Sequence, residues 1–142
     1  DMSCPAIKRA CQWLLSKQNS DGGWGESCFS YFDWEAHGTG PSTASQTAWT
    51  LMGLMAAGMH DHFAVRNGIK FLCDTIQSDG IWFEPYHTMT GFFGGLTGGR
   101  PAKKDTESMK NNVRAGYFLR YDYSRHVWPL RALGLFLQHH NP

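Results

Sequence analysis

A stretch that occurs twice decides the fold of this chain: residues 8–24 read KRACQWLLSKQNSDGGW, and residues 66–82 read RNGIKFLCDTIQSDGIW. Each copy runs from basic and small residues through an aromatic–Leu pair to a Gln, then Ser-Asp-Gly and a Trp. The closing residues, Trp24 and Trp82, are 58 positions apart. Agreement at this many positions indicates an internal repeat, which is typical of proteins built from repeated supersecondary units.

A second pair of segments repeats with a longer spacing. Residues 44–51 read ASQTAWTL, and residues 123–130 read YSRHVWPL, so that Trp49 and Trp128 are 79 positions apart. This spacing exceeds that of the first pair by 21 residues. The second unit therefore carries an insertion of about that length.

Hydrophobic periodicity predicts that both units are helical. Apolar residues follow a helical stripe from Ile7 to Leu15 and again from Val65 to Ile76. The segments 48–57 and 127–137 are apolar nearly all round, which is typical of helices buried on every side. The alternation predicts an all-α fold of helical hairpins in two layers, with two outer amphipathic helices and two inner apolar ones.

Short-range signals mark the expected ends of these helices. Ser42 and Asp61 are candidate N-caps, and Gly58 is a candidate C-terminal stop. No alternation with a period of two residues predicts a strand.

Composition limits the class of protein. The chain has 142 residues, 42% apolar and 18% charged, which predicts one folded domain. Its net charge of +1 argues against a nucleic-acid-binding domain. The longest apolar stretch, residues 51–59, is too short to cross a bilayer, and no signal peptide opens the chain. The first residue is Asp1 rather than Met, which suggests a processed or partial sequence.

Metal ligands are not expected. The four cysteines form no C-x-x-C pair, and the His60-x-His62 motif has no Cys or Glu at metal-binding spacing. The composition is instead rich in aromatic residues, at 14%. These rings either pack an unusual core or present their faces to a ligand.

The Gln18-x₅-Trp24 and Gln77-x₄-Trp82 units resemble the QW motif of triterpene cyclases. The wider chain is similar to the C-terminal part of squalene–hopene cyclases, through residues 12–19, 21–27, 40–49, 90–92, 117–121 and 125–130. The resemblance implies an α/α barrel, a toroid of six hairpins, of which residues 1–142 form a C-terminal fragment with about two. It also implies a structural role for the QW residues, in which Gln caps a neighbouring helix and Trp stacks on it: Gln18, Trp24, Gln77 and Trp82.

The family pattern also locates the insertion. It places an aromatic residue four positions after Phe92, whereas Tyr117 follows Phe92 by 25 positions, which again gives 21 extra residues. If the insertion spans residues 94–114, it has five basic and two acidic residues, four Gly and no aromatic ring. This composition predicts a flexible loop. A translated intron is a further interpretation.

The reaction implied by the resemblance is cyclisation of squalene or a related polyprenyl chain, started by protonation of a terminal double bond and needing no cofactor. A migrating carbocation requires a dry apolar cavity. Electron-rich rings can stabilise it without capturing it covalently. The matched positions for such rings are Phe92, Tyr117 and Tyr121. The sequence departs from the family pattern with Tyr117 in place of Phe, and with Ser124 where a further Tyr is expected, one position after Tyr123.

The proton donor is missing from the sequence. The family uses a D-x-D-D motif that does not occur here, and Glu26 and Glu84 are single carboxylates. The chain alone is therefore expected to be inactive. Implied partners are the rest of the barrel and, for so insoluble a substrate, the membrane surface. The protein is expected to be membrane-associated (monotopic) or cytoplasmic. Two alternatives stay open: a prenyltransferase-like barrel, which would need a zinc site, and a non-catalytic binding or scaffold fragment.

Overall fold

The computed structural model describes residues 2, 4–27, 30, 33–84, 89–92, 117–120 and 123–141. Four α-helices form the body of this part of the chain: α1 (Pro5–Ser16), α2 (Ala44–Ala56), α3 (Phe63–Thr75) and α4 (Ser124–His140). A 3-10 helix (Trp34–Ala36) precedes α2, and two short strands, β1 (Met89–Phe92) and β2 (Tyr117–Arg120), lie between α3 and α4. The predicted all-α fold is confirmed, with this strand pair as a local exception.

Helix α2 lies at the centre and packs mainly against α4 and α3. Eight of its residues are buried, among them Leu51 and Leu54, which are fully inaccessible. From Ala48 to Ala56 the helix has one polar residue, Thr50, so burial on most sides is its most favourable state. Its prediction as an inner helix is confirmed.

Helices α1 and α3 carry the predicted apolar stripes. Helix α3 buries Val65 and Leu72 and exposes its charged residues. Helix α1 buries Cys11 and keeps Ile7 and Leu14 partly buried against the same core. Both helices therefore have one wet face, as predicted for the outer layer.

Helix α4 differs from the prediction. The sequence predicts burial on all sides, but in the described structure the helix buries only Pro129 and Ala132. Its side chains Val127, Leu130 and Leu137 are 49%, 60% and 57% exposed. The reason is that α2 supplies nearly all of its helix packing, so the face away from α2 has no equivalent neighbour among the described residues.

The helix ends follow the predicted signals to within one residue. The N-cap of α2 is Thr43 rather than Ser42, and that of α3 is His62 rather than Asp61. The stop at Gly58 is confirmed: its φ is +80°, and Met59 N–H donates to Leu54 O. This 6→1 bond is the signature of a Schellman C-cap, whose left-handed residue is usually Gly.

The strand pair has no counterpart among the predicted elements. Strands β1 and β2 pair in antiparallel register, with Met89 opposite Arg120 and Phe92 opposite Tyr117. Each strand has only four residues, too few for a period-two pattern to be visible. Their β-branched and aromatic residues nevertheless suit a strand. The predicted insertion at 94–114 lies outside the described residues.

Candidate functional site

The first QW turn joins three helices. The indole Nε1 of Trp24 donates to Leu14 O at the end of α1, at 2.7 Å. The backbone N–H of Trp24 donates to Thr47 Oγ1 of α2 at 2.9 Å. Gln18 Nε2 donates to Ala64 O in the first turn of α3, at 2.8 Å. The turn therefore fixes one outer helix to the next outer helix and to the inner helix between them.

The second QW turn repeats two hydrogen bonds of the first. Trp82 Nε1 donates to Leu72 O of α3 at 2.9 Å, the equivalent of the bond from Trp24 to Leu14. Asp79 Oδ1 accepts from Ile81 N–H, as Asp21 Oδ1 accepts from Gly23 N–H. Both Asp side chains thus stabilise turns rather than serve as acids.

The two Gln residues of the motif do not occupy equivalent positions. Gln77 N–H donates to Ile81 O, and the matching bond in the first turn runs from Asn19 N–H to Gly23 O. Gln77 therefore corresponds to Asn19 in the turn, and its side chain is exposed. The structural role expected of Gln77 stays a prediction.

Two of the three expected cavity residues meet in the strand pair. Phe92 and Tyr117 are the last and first residues of their strands and lie directly opposite each other. Opposite Cα atoms in an antiparallel pair are about 4.5–5.5 Å apart, so two positions 25 residues apart in sequence become neighbours. Tyr121, the third, lies outside the described residues.

The inner helices contribute two rings that the sequence motifs do not assign to the site. Trp49 of α2 and Trp128 of α4 contact edge to face, with ring centroids 6.2 Å apart. These are the equivalent Trp residues of the second repeated segment, and that equivalence is the signal that could have identified them. Trp49 is 38% exposed on a mostly buried helix, so part of its indole surface is accessible to a ligand or a further element.

The ring of Tyr123 is not equivalent to the ring that the family pattern expects at position 124. Tyr123 is 81% exposed and is the N-cap residue of α4, whereas Ser124 is the first residue of the helix. A shift of one residue turns a helical side chain by about 100°. Tyr123 therefore does not take the place of a ring at 124.

Most of the carboxylates that the structure describes are engaged in structural contacts. Glu84 accepts from the backbone N–H and the hydroxyl of Ser45, and Glu26 accepts from Gly38 N–H. Asp61 accepts from His140 and then Arg66, and these bonds lower its pKa. Among the described residues no three metal-binding side chains are grouped to hold an ion.

A cluster of histidine residues lies at one end of the helices. The rings of His60 and His139 stack with centroids 3.9 Å apart, joining the α2–α3 turn to the end of α4. Burial lowers the pKa of His60, and the charge of neighbouring His139 lowers it further.

In the described part of the chain, no helix is both long and apolar enough to span a bilayer.

The fold and these contacts define a class of protein: paired outer and inner helices, fixed by Trp-containing turns, as in α/α barrels. Comparison with known proteins gives the family. Residues 1–96 match the squalene-hopene cyclase C-terminal domain. The chain therefore belongs to the squalene–hopene cyclase family.

Individual relatives agree. The squalene–hopene cyclase of Bradyrhizobium diazoefficiens is 52% identical over 89 residues, covering 62% of this chain and 14% of the relative. That of Alicyclobacillus acidocaldarius is 42% identical over 114 residues, covering 80% of this chain and 15% of the relative. The dammaradiene synthase of Dryopteris crassirhizoma is 43% identical over 100 residues, covering 61% and 15%. The chain thus spans about one-seventh of the length of the first two relatives.

Proposed function

We propose that this chain is the C-terminal portion of a triterpene cyclase that acts on squalene or a related polyprenyl chain. The match of residues 1–96 to the C-terminal domain of squalene–hopene cyclases carries this proposal. The relatives are named as squalene–hopene cyclases and as a dammaradiene synthase. These findings favour the cyclase over a prenyltransferase-like barrel and over a scaffold fragment.

The role proposed for the chain is to form one wall of the apolar cavity. Its proposed cation-stabilising rings are Phe92, Tyr117 and Tyr121. The register that places Phe92 opposite Tyr117 supports a shared site, because both rings would then act on neighbouring positions of one substrate. Each cation–π contact is worth about 0.5–2 kcal/mol, more when water is excluded.

The proton donor is proposed to lie elsewhere in the enzyme. No D-x-D-D motif occurs in this sequence, and most of the described carboxylates are used in turns, caps and ion pairs. The exposed apolar side chains of α4 support a direct contact with the remaining barrel. Peripheral contact with a membrane would supply the insoluble substrate.

We further propose that residues 94–114 are an insertion in a tight hairpin. Without them, three residues would connect β1 to β2: Phe93, Ala115 and Gly116. Three-residue hairpin loops commonly end on a left-handed residue, a position that suits Gly116. The family match also ends at residue 96, close to the proposed start of the insertion.

The proposed function is tested by exchange of segments. The C-terminal segment of the Bradyrhizobium cyclase, from the start of its alignment with this chain to its end, is replaced by the corresponding residues of this chain up to residue 142, and the purified chimera is incubated with squalene. Cyclised triterpenes, identified by gas chromatography and mass spectrometry, are the expected result. A folded chimera that binds to detergent micelles as the parent does but forms no cyclised product would contradict the proposal.

A further inference from the structure

Glu84 has an environment that its position in the repeat does not explain. It follows Trp82 by two residues, as Glu26 follows Trp24, so the two carboxylates are repeat equivalents. Glu26 is exposed and its Oε2 accepts from Gly38 N–H at 2.6 Å. Glu84 is only 6% exposed. A carboxylate is buried at this level only when its hydrogen bonds compensate for lost hydration.

The compensating partner of Glu84 is the inner helix. Its Oε1 accepts from the backbone N–H of Ser45 at 3.1 Å and from the Ser45 hydroxyl at 2.6 Å. Ser45 is the second residue of α2 and is fully buried. The N–H groups of a first helical turn have no acceptor within the helix, and a carboxylate is favoured at this positive end. Glu84 therefore forms a charge-assisted bond to the start of α2.

This bond falls between an anchored turn and the proposed cavity residue. Trp82, two residues before Glu84, is fixed to Leu72 of the outer helix α3. Strand β1 begins at Met89, five residues after Glu84, and ends at Phe92. The chain is thus held against the inner helix at Glu84, five residues before the start of the strand that carries Phe92.

We propose that Glu84 is a positioning residue for the cyclisation, which sets the location of Phe92 and its partner Tyr117 through Ser45. The inference rests on the proposed function. Glu84 itself touches no reacting atom; it acts through the backbone that leads to β1. Loss of its carboxylate would free that backbone from α2 while leaving the Trp82 anchor intact.

The first test needs no substrate. Residue-resolved hydrogen exchange is measured by NMR on the 142-residue chain as wild type, Glu84→Ala and the matched control Glu26→Ala. Faster exchange at Ser45 and at residues 89–92 is expected in Glu84→Ala alone. Unchanged exchange in Glu84→Ala, or an equal change in Glu26→Ala, would overturn the proposal.

The second test measures products in the chimera described above. Displacement of a reacting group by about 1 Å can cost about 100-fold in rate, so the ratio of fully cyclised to earlier-terminated products is expected to fall by about tenfold or more in Glu84→Ala. Glu84→Gln keeps an oxygen that can accept both bonds from Ser45 and should restore most of the ratio. Glu26→Ala should leave it unchanged.

The outcomes separate the inference from the proposed function. An unsubstituted chimera without cyclised product contradicts the proposed function, and hydrogen exchange then still decides whether Glu84 holds the segment. A lower melting temperature with unchanged product ratios would mean that Glu84 is only structural. A Glu84→Gln variant as impaired as Glu84→Ala would exclude action through the bonds to Ser45.

Discussion

Gly68 shows at the residue scale how closely the two helical layers approach. A Cβ atom at this position of α3 would lie 2.8 Å from Leu51 Cδ2 of α2 and 2.8 Å from Trp24 Cζ3. Contacts that short do not occur, so the outer helix packs here through its backbone. A Cβ atom on Gly53, in the middle of α2, would have no neighbouring atom within 4 Å in the described part of the chain, which makes this glycine a matched control.

We therefore expect Gly68→Ala and Gly53→Ala to have opposite effects on the free energy of unfolding. Gly68→Ala should lower it by about 1–3 kcal/mol, because overpacking outweighs the better helix propensity of Ala. Gly53→Ala should raise it by about 0.5–1 kcal/mol. Urea unfolding of both variants followed by circular dichroism measures the difference, and equal stabilisation by both would show that the layers do not meet at Gly68.

At the scale of elements, the predictable features are those encoded in neighbouring residues. The stripe from Val65 to Ile76 and the apolar run of α2 specify an outer and an inner helix correctly. The exposure of α4 is not predictable, because its sequence resembles that of α2 while its packing partners differ. The strand pair depends on an alignment across 24 intervening residues, which no local pattern contains.

The candidate site also has one part that the sequence predicts and another part that it does not. The family spacing relates Phe92 to Tyr117 through the 21-residue excess, and the strand register places them opposite each other. The bond between Glu84 and Ser45 has no such signal, and the contact between Trp49 and Trp128 is indicated only by the equivalence of the two Trp residues in the second repeated segment. Both join segments that are about 40–80 residues apart, and such tertiary contacts leave no spacing pattern within either segment.

The junction between the α2–α3 turn and α4 is expected to weaken with acid. Because the pKa of His60 is lowered by folding, the His60 ring takes up its proton at a lower pH in the folded chain than in the unfolded chain, where the ordinary His pKa is about 6.5. Stability is thus lost as pH falls below about 6.5. Asp61, with its pKa lowered chiefly by His140 and then by Arg66, loses its contribution only at more acidic pH, below about 4.

The melting temperature of the chain between pH 7.5 and 5.5, a window of about one unit on either side of the ordinary His pKa, measures this effect. A fall towards the acidic end is expected for the wild type, with a smaller fall for His60→Gln. His37→Gln, in the loop before α2, serves as the control and should keep the full fall. An identical pH dependence in His60→Gln and wild type would show that the stacked His60–His139 pair does not set it.

At the scale of the whole molecule, the proposed insertion predicts tolerance of a large deletion. Removal of residues 94–114 leaves three of the 24 residues between Phe92 and Tyr117. Each halving of a flexible loop reduces its closure cost by about 0.6 kcal/mol, so the deletion should stabilise the chain by about 1–2 kcal/mol. A higher melting temperature with an unchanged helical circular dichroism spectrum is the expected outcome. Loss of the helical signal would mean that these residues are needed for the fold.

The proposed place of this chain in the wall of a cyclase cavity is tested most directly through Phe92. If the Phe92 ring stabilises a late cation, its loss in Phe92→Ala should shift the products of the chimera towards earlier-terminated ring systems. A contact of about 1.4 kcal/mol corresponds to a tenfold change in partition between competing steps, within the range of a desolvated cation–π contact. The melting temperature of the same variant should change little.

Truncation of a core residue has a different result. It would lower the free energy of unfolding by about 3–5 kcal/mol and reduce total turnover without altering which products form. The decisive measurement is therefore the product ratio of Phe92→Ala, by gas chromatography and mass spectrometry, beside its melting temperature. We predict a shift of about tenfold towards earlier-terminated products, and unchanged ratios with a lower melting temperature would contradict the assignment of Phe92 to the cavity.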